Sequence, residues 1–261
     1  MEDKALLDAA TVEAGKLEDL DRSDLDKRLQ DLGVLVIRGL ISATEIQKVK
    51  QKMRELFSMD DDHAGTGESP GQLYENYQKF SVNGGEFRDN AHPQCVRSFY
   101  NPTFAPDVFG MRKAFQVTAR VRNILMGVDV DWAINAIDDG FWTAARIHHY
   151  PRGGGFMSAH CEDYVPQFYK EANLENAYFQ PLIAMSKKGP GPDCDYETGG
   201  GYFIHEERKC YYEQHVNIGD ILIYDTRVIH GVTEIDAAER FRQSELIGRF
   251  AGFVTLYKDL T

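Results

Sequence analysis

YPRGGGFMSAHCE, residues 150–162, reads as the end of one strand, a glycine turn and a returning strand. Side chains alternate along a strand, so His160 and Glu162, two apart, face one side while Cys161 faces the other. A second stretch, GDILIYDTRVIHGV at 219–232, has the same grammar. Gly219 and Asp220 make a tight turn, and the apolar run at 221–225 is a buried strand that feeds straight into His230.

Outward from these two stretches, residues after 130 consist of short apolar runs separated by Gly, Pro and acidic turns. FWTAARIHHY (141–150), YFQPLIAMS (178–186), GGGYFIHE (199–206), YYEQHVNIGD (211–220), ILIYDTRVIHGV (221–232) and RFAGFVTLY (249–257) all read as strands. Short strands without intervening helices argue a barrel or sandwich and not a parallel α/β sheet. The expected class is mainly β with supporting helices.

The N-terminal part differs. The spacing predicts a helix around 25–32 stopped by Gly33, a short buried strand at 34–37 and a helix at 43–57. The latter starts on a Ser42-x-x-Glu45 capping box and carries Ile46, Val49, Met53 and Leu56 on one face. Residues 107–126 predict another amphipathic helix, whereas 58–104 are loop-rich, with few periodic runs. One catalytic domain over 1–261 follows, with 1–130 as helical support and loop-rich wall and 131–261 as the β core.

Composition narrows the partners. With 29 Lys and Arg against 41 Asp and Glu, the net charge is −12, which repels a phosphate backbone, so nucleic acid is not an expected partner. No apolar run is long enough for a membrane span or a signal peptide, and four cysteines without CxxC spacing read as free thiols. A cytoplasmic protein without a membrane partner is the expectation.

Two imidazoles and one carboxylate are a donor set that binds one face of a non-haem Fe(II) and leaves the other face open to ligands and O2. His160, Glu162 and His230 supply that set. A His-x-carboxylate pair alone is common; its place after a glycine turn, with His230 after a buried strand, is what gives it weight. In RFAGFVTLY the alternation puts Arg249, Ala251 and Phe253 on one face, and a buried cation there suits a dicarboxylate co-substrate. His148 and His149, being adjacent, face opposite sides of their strand, so one can line a pocket.

The order H-x-E…H…R over about 144–257 resembles the Fe(II)/2-oxoglutarate-dependent oxygenases, whose core is a double-stranded β-helix, a cupin-like jelly roll. The run from Tyr150 to His160 resembles the approach to the first ligand in the prolyl-hydroxylase branch, and GVLVIRGLISATEIQKVKQ (33–51) resembles the opening of phytanoyl-CoA-hydroxylase-like members. The resemblance implies His160, Glu162 and His230 as iron ligands, Arg249 on the distal carboxylate of 2-oxoglutarate and Tyr150 as a hydrogen-bond donor to that co-substrate. Arg249 lies farther beyond His230 than the family commonly keeps its basic residue. Arg240 and Arg242 fall within the commoner spacing but sit in a solvated stretch. Glu162 stands where Asp is commoner, and a retained carboxylate argues against a halogenase.

The activity so implied is hydroxylation of an unactivated C–H bond of a small molecule, an amino acid or natural-product intermediate, using O2 and releasing succinate and CO2. The alternative on the same barrel is a cupin-type metal-dependent isomerase or lyase, or a non-oxidative metal binder, which would have no use for a buried Arg249.

Overall fold

A computed structural model describes residues 2–63, 77–82, 93–161, 180–225 and 227–258. Glu162 and the proposed substrate wall at 163–178 lie outside the described residues, as does much of 58–104.

Helices α1 (Asp3–Ala10), α2 (Arg22–Leu32), α3 (Ala43–Leu56) and α4 (Arg112–Met126) precede the main run of strands. Gly33 ends α2 with φ 71°, the left-handed conformation that glycine adopts without a Cβ clash. The capping box expected at Ser42 does not form, since Ser42 makes no side-chain cap bond, and Glu45 instead pairs with Lys113 of α4 at 3.1 Å. The fourth helix starts at Arg112 and not at 107, because Asp107 Oδ1 accepts from the backbone N–H groups of Gly110 and Met111 and holds the preceding turn.

The strands are β1 (Thr11–Glu13), β2 (Val34–Arg38), β3 (Gln78–Val82), β4 (Gln94–Tyr100), β5 (Phe141–Pro151), β6 (Gly155–His160), β7 (Leu182–Ala184), β8 (Gly200–His205), β9 (Arg208–Tyr211), β10 (Ile221–Tyr224), β11 (His230–Ile235) and β12 (Gly248–Lys258). Their hydrogen-bonded order is β1-β2-β10-β7-β12-β5-β4-β6-β11-β8-β9, with β3 on β4. From β5 onward the chain alternates between two runs, β5-β12-β7-β10 and β6-β11-β8-β9, apart from the β8–β9 hairpin, which stays in the second. That winding is the double-stranded β-helix. The sheet draws strands from both sides of residue 130, since β4 bridges β5 and β6.

Two expected strands are corrected. Residues 212–220 form turns, because the Tyr212 carbonyl accepts from His215 N–H and Asp220 Oδ2 accepts from Asn217 N–H at 2.8 Å. The run at 221–232 is two strands and not one, so His230 begins β11 where the sequence had it ending a strand. Asp225 breaks the run by accepting from the Arg227 N–H at 2.8 Å, an Asx turn. This break sends β10 to one run of the sheet and β11 to the other.

β5 and β12 pair over eleven residues, Gly248 opposite Pro151 through Lys258 opposite Phe141. One face of this pair meets the helices: Ala145, Ile147, Phe250 and Val254 lie in one buried cluster with Ile46, Val49 and Met53 of α3 and Phe115 and Ala119 of α4. The other face, carrying Arg146, His148, Tyr150, Arg249 and Phe253, lines a cavity.

Candidate active site

The glycine turn delivers the first histidine. Gly153 and Gly154 take φ 86° and 116°, and both donate to the Ile235 carbonyl, so β6 returns against β11. His160 then stands directly across from His230 in the β6–β11 register, their ring centroids 4.3 Å apart. Each Nδ1 lies against the carbonyl two residues earlier, His160 on Ser158 at 2.8 Å and His230 on Val228 at 2.9 Å. A carbonyl only accepts, so each Nδ1 carries the proton and each lone pair sits on Nε2, the tautomer a metal needs. Tyr224 of β10 packs on the His230 ring at 4.7 Å. Among the described residues no cluster of three His, Cys, Asp or Glu side chains forms, and Glu162 lies outside them.

Both histidines line a cavity of about 270 Å³ that also takes in Arg249, Tyr150, His148 and Arg146. Arg249 and Tyr150 are register partners on β12 and β5, and the guanidinium lies over the phenol ring at 4.9 Å. The Arg249 side chain is 2 % exposed. Its Nε donates to Glu213, its Nη2 donates to Tyr212 Oη at 2.8 Å, and its Nη1 has no partner among the described residues. Burial works against the Arg249 charge, yet Glu213 and the surrounding tyrosine oxygens outweigh it and hold the group well above its ordinary pKa. A buried N–H without an acceptor is costly and marks where an anion belongs.

Arg242 pairs with Glu245 in an exposed turn at 3.0 Å, and Arg240 is exposed as well, so neither approaches the cavity as Arg249 does.

His148 organises the floor between the two arginines. Arg146 Nε donates to His148 Nε2 at 3.1 Å, so Nε2 is the acceptor and Nδ1 bears the proton. That Nδ1–H faces Tyr150 Oη at 3.3 Å, which leaves the Tyr150 hydroxyl proton to be donated elsewhere. Burial, then the neighbouring Arg146 cation, depress the His148 pKa well below the usual range, so the ring is neutral and this bonding pattern persists at neutral pH. Burial likewise pushes the Tyr150 phenol up to about 12, so it is a donor and not a phenolate. His149, on the opposite face, packs against Phe250 with ring centroids 4.7 Å apart and does not line the cavity.

Sequence reasoning missed Glu213, Tyr212, Arg146 and Gln180. Glu213 sits in a turn between aromatics, and no spacing announces it. The one available signal was the glycine run at 199–201: a Cβ on Gly201 would collide with the Tyr212 hydroxyl, and its N–H donates to Glu213.

No protein-family model matches the sequence, and no curated protein matches it. Solved structures do match in shape. A prolyl hydroxylase from Trichoplax adhaerens, solved with a hypoxia inducible factor oxygen degradation domain peptide fragment, superposes with TM-score 0.53 at 11 % identity, covering 91 % of this chain and 89 % of that one. EctD from S. alaskensis, with 2-oxoglutarate and 5-hydroxyectoine, gives TM-score 0.51 at 13 % identity over 97 % and 82 % of the two chains. The non-heme alpha ketoglutarate dependent epimerase SnoN from nogalamycin biosynthesis gives TM-score 0.51 at 10 % identity over 91 % and 82 %. The chain shares the double-stranded β-helix fold of the Fe(II)/2-oxoglutarate oxygenases.

Proposed function

We propose that the protein is an Fe(II)- and 2-oxoglutarate-dependent dioxygenase that hydroxylates a C–H bond of a small molecule. One observation carries the reading. A register pair of histidines with both lone pairs on Nε2 shares a cavity with a buried arginine whose Nη1 lacks an acceptor among the described residues. A non-oxidative metal binder on this barrel would have use for the histidines and none for that cation.

His160, His230 and Glu162 would hold the iron, and Arg249 with Tyr150 would hold the far carboxylate of 2-oxoglutarate. When bound, the iron and co-substrate supply the oxidising chemistry; the protein supplies binding and orientation. The balance is substrate C–H plus 2-oxoglutarate plus O2 giving alcohol, succinate and CO2.

The chain's own residues do the rest. Arg249 Nη1 gains its missing acceptor, and the Tyr150 hydroxyl, freed by the proton on His148 Nδ1, donates a second hydrogen bond. Neutral His148 adds no charge that would compete for the carboxylate. Phe253, Val232 and Met157 in the walls keep the reacting end apolar and limit water.

The test is succinate formation by the full chain supplied with Fe(II), 2-oxoglutarate and O2. The proposal expects succinate and CO2 in equal amounts, stimulated by a substrate and abolished in His230→Gln. Substrate conversion without O2 or 2-oxoglutarate would instead support the cupin-type isomerase or lyase.

A further inference from the structure

The chain itself occupies one side of the Arg249 guanidinium. Nε donates to Glu213 and Nη2 to Tyr212 Oη at 2.8 Å, and these two N–H groups form the lateral edge of the planar fork. An arginine takes a carboxylate side-on with that edge, and here the edge is already filled. Nη1, at the end of the fork, has no acceptor among the described residues. The Tyr150 ring supports the group from one face, its centroid 4.9 Å from Cζ. A carboxylate in the cavity therefore meets this arginine end-on, at Nη1.

Glu213 is held in its turn. The β8–β9 hairpin pairs Tyr202 with Tyr211, and the bend that follows is closed by His215 N–H on the Tyr212 carbonyl at 2.9 Å. The Gly201 N–H donates to Glu213 Oε2, and a Cβ on Gly200 would collide with that same oxygen. Glycine at 200 thus leaves the space that the carboxylate fills. The side chains of Glu213 and Arg249 are 6 % and 2 % exposed, so the pair is shielded from water. His160 and His230, which line the same cavity, stand opposite each other on paired strands. A co-substrate reaching from the histidines to Arg249 would be gripped at both ends by residues fixed in the sheet.

We infer that Glu213 is a positioning residue that sets the length of 2-oxo dicarboxylate the cavity accepts, selecting the five-carbon chain. The identity of that ligand is taken from the oxygenase reading above. Glu213 does not line the cavity and acts through Arg249. It keeps the guanidinium from turning about Cδ–Nε, so Nη1 stays at one depth. Without it the lateral edge is free, and the fork can swing to meet a carboxylate at more than one depth. A longer chain then finds its partner.

Calorimetric titration into the full, Fe(II)-loaded protein with O2 excluded tests it. The probes are 2-oxoglutarate, 2-oxoadipate with one more methylene, and 2-oxopentanoate without the far carboxylate. The parent should bind 2-oxoglutarate about tenfold or more tighter than either of the others, since each misses a charge-assisted hydrogen bond at Nη1. In Glu213→Ala the preference over 2-oxoadipate should shrink to about twofold, while that over 2-oxopentanoate stays about tenfold, because the freed fork still takes a carboxylate. Glu213→Gln, whose amide oxygen still accepts from Nε, should keep the parent's preferences. Tyr212→Phe retains the buried ion pair, so it folds, and by freeing Nη2 it should lower the preference over 2-oxoadipate about threefold. A Glu213 that serves only the fold would lower the melting temperature of Glu213→Ala and leave every affinity ratio alone. Unchanged ratios in Glu213→Ala and Tyr212→Phe, or a parent that binds 2-oxoadipate as tightly as 2-oxoglutarate, overturn the inference and spare the oxygenase reading. A Glu213→Gln as unselective as Glu213→Ala also overturns it, because charge and not position would then be the cause. Equal affinity of the parent for 2-oxoglutarate and 2-oxopentanoate, or no binding of either, sinks the oxygenase reading and this inference with it.

Discussion

Replacing Arg249 by Met separates what the arginine does for the fold from what it does for the ligand. Its side chain is 2 % exposed and that of Glu213 6 %, and the two form a buried ion pair. The Arg249→Met variant would leave Glu213 with the Gly201 N–H as a remaining donor. Removing one partner of a buried pair costs about 3–5 kcal/mol, because the survivor is a desolvated charge. At roughly 2–4 °C per kcal/mol for a chain of this size, the melting temperature should fall by about 6–20 °C. Glu213→Gln is milder, about 1–3 kcal/mol, since the amide oxygen still accepts from Nε. The double variant has no uncompensated charge and should recover much of the loss, giving a coupling of about 2–3 kcal/mol. Affinity for 2-oxoglutarate should follow a different pattern. Arg249→Met removes a hydrogen bond to a charged group, about 1.5–3 kcal/mol or roughly 10–150-fold, and Glu213→Gln does not restore it in the double variant. Urea unfolding of the four proteins measures the first pattern, and calorimetric titration of 2-oxoglutarate into the Fe(II) protein without O2 measures the second. The reasoning fails if Arg249→Met costs under about 1 kcal/mol, or if co-substrate affinity returns along with stability.

Three further outcomes follow from single contacts. Gly201→Ala should destabilise by about 1–3 kcal/mol and weaken 2-oxoglutarate binding, because the added methyl displaces Tyr212 from Arg249; an unchanged melting curve would count against this. Burial holds the His149 pKa down to about 3 from the usual 6.5. The unfolded chain therefore binds a proton between those values that the folded chain does not. The contribution is fully present above pH 6.5 and falls by up to about 1.4 kcal/mol per unit as pH drops towards 3. His149→Gln should flatten the acid limb of stability against pH by that slope, and an identical slope would contradict it. Phe115→Ala, at the helix–sheet junction where the ring is fully buried, should cost about 3–5 kcal/mol in unfolding experiments and spare 2-oxoglutarate affinity in the folded fraction.

The sequence carried the elements whose signal is local. Gly33 ended α2, the apolar stripe of α3 buried Ile46, Val49 and Met53, and alternation along β12 put Arg249 and Phe253 on one face. It also brought His160 to a place from which a partner strand could meet it. Long-range pairing set the rest. Asp225 looked like the last residue of a buried strand, yet its side chain caps a turn that divides β10 from β11. Glu45 looked like a capping residue until Lys113, distant in sequence, took it. β4 hid in a loop-rich segment because Val96 to Tyr100 are all buried, so the strand shows no amphipathic alternation. Glu213 was illegible because only the close approach of Gly201 and the fold of 212–220 bring it to Arg249.

In the proposed enzyme the paired histidines and Arg249 together hold a metal and a 2-oxo dicarboxylate. The most direct test of this is equilibrium titration of 2-oxoglutarate into the Fe(II)-loaded protein without O2, before and after the metal is stripped by a chelator. One site per chain is expected, lost when the metal is removed or when His160 or His230 is replaced by Gln. Binding of equal strength without the metal, or none with it, would rule out a metal-linked co-substrate site.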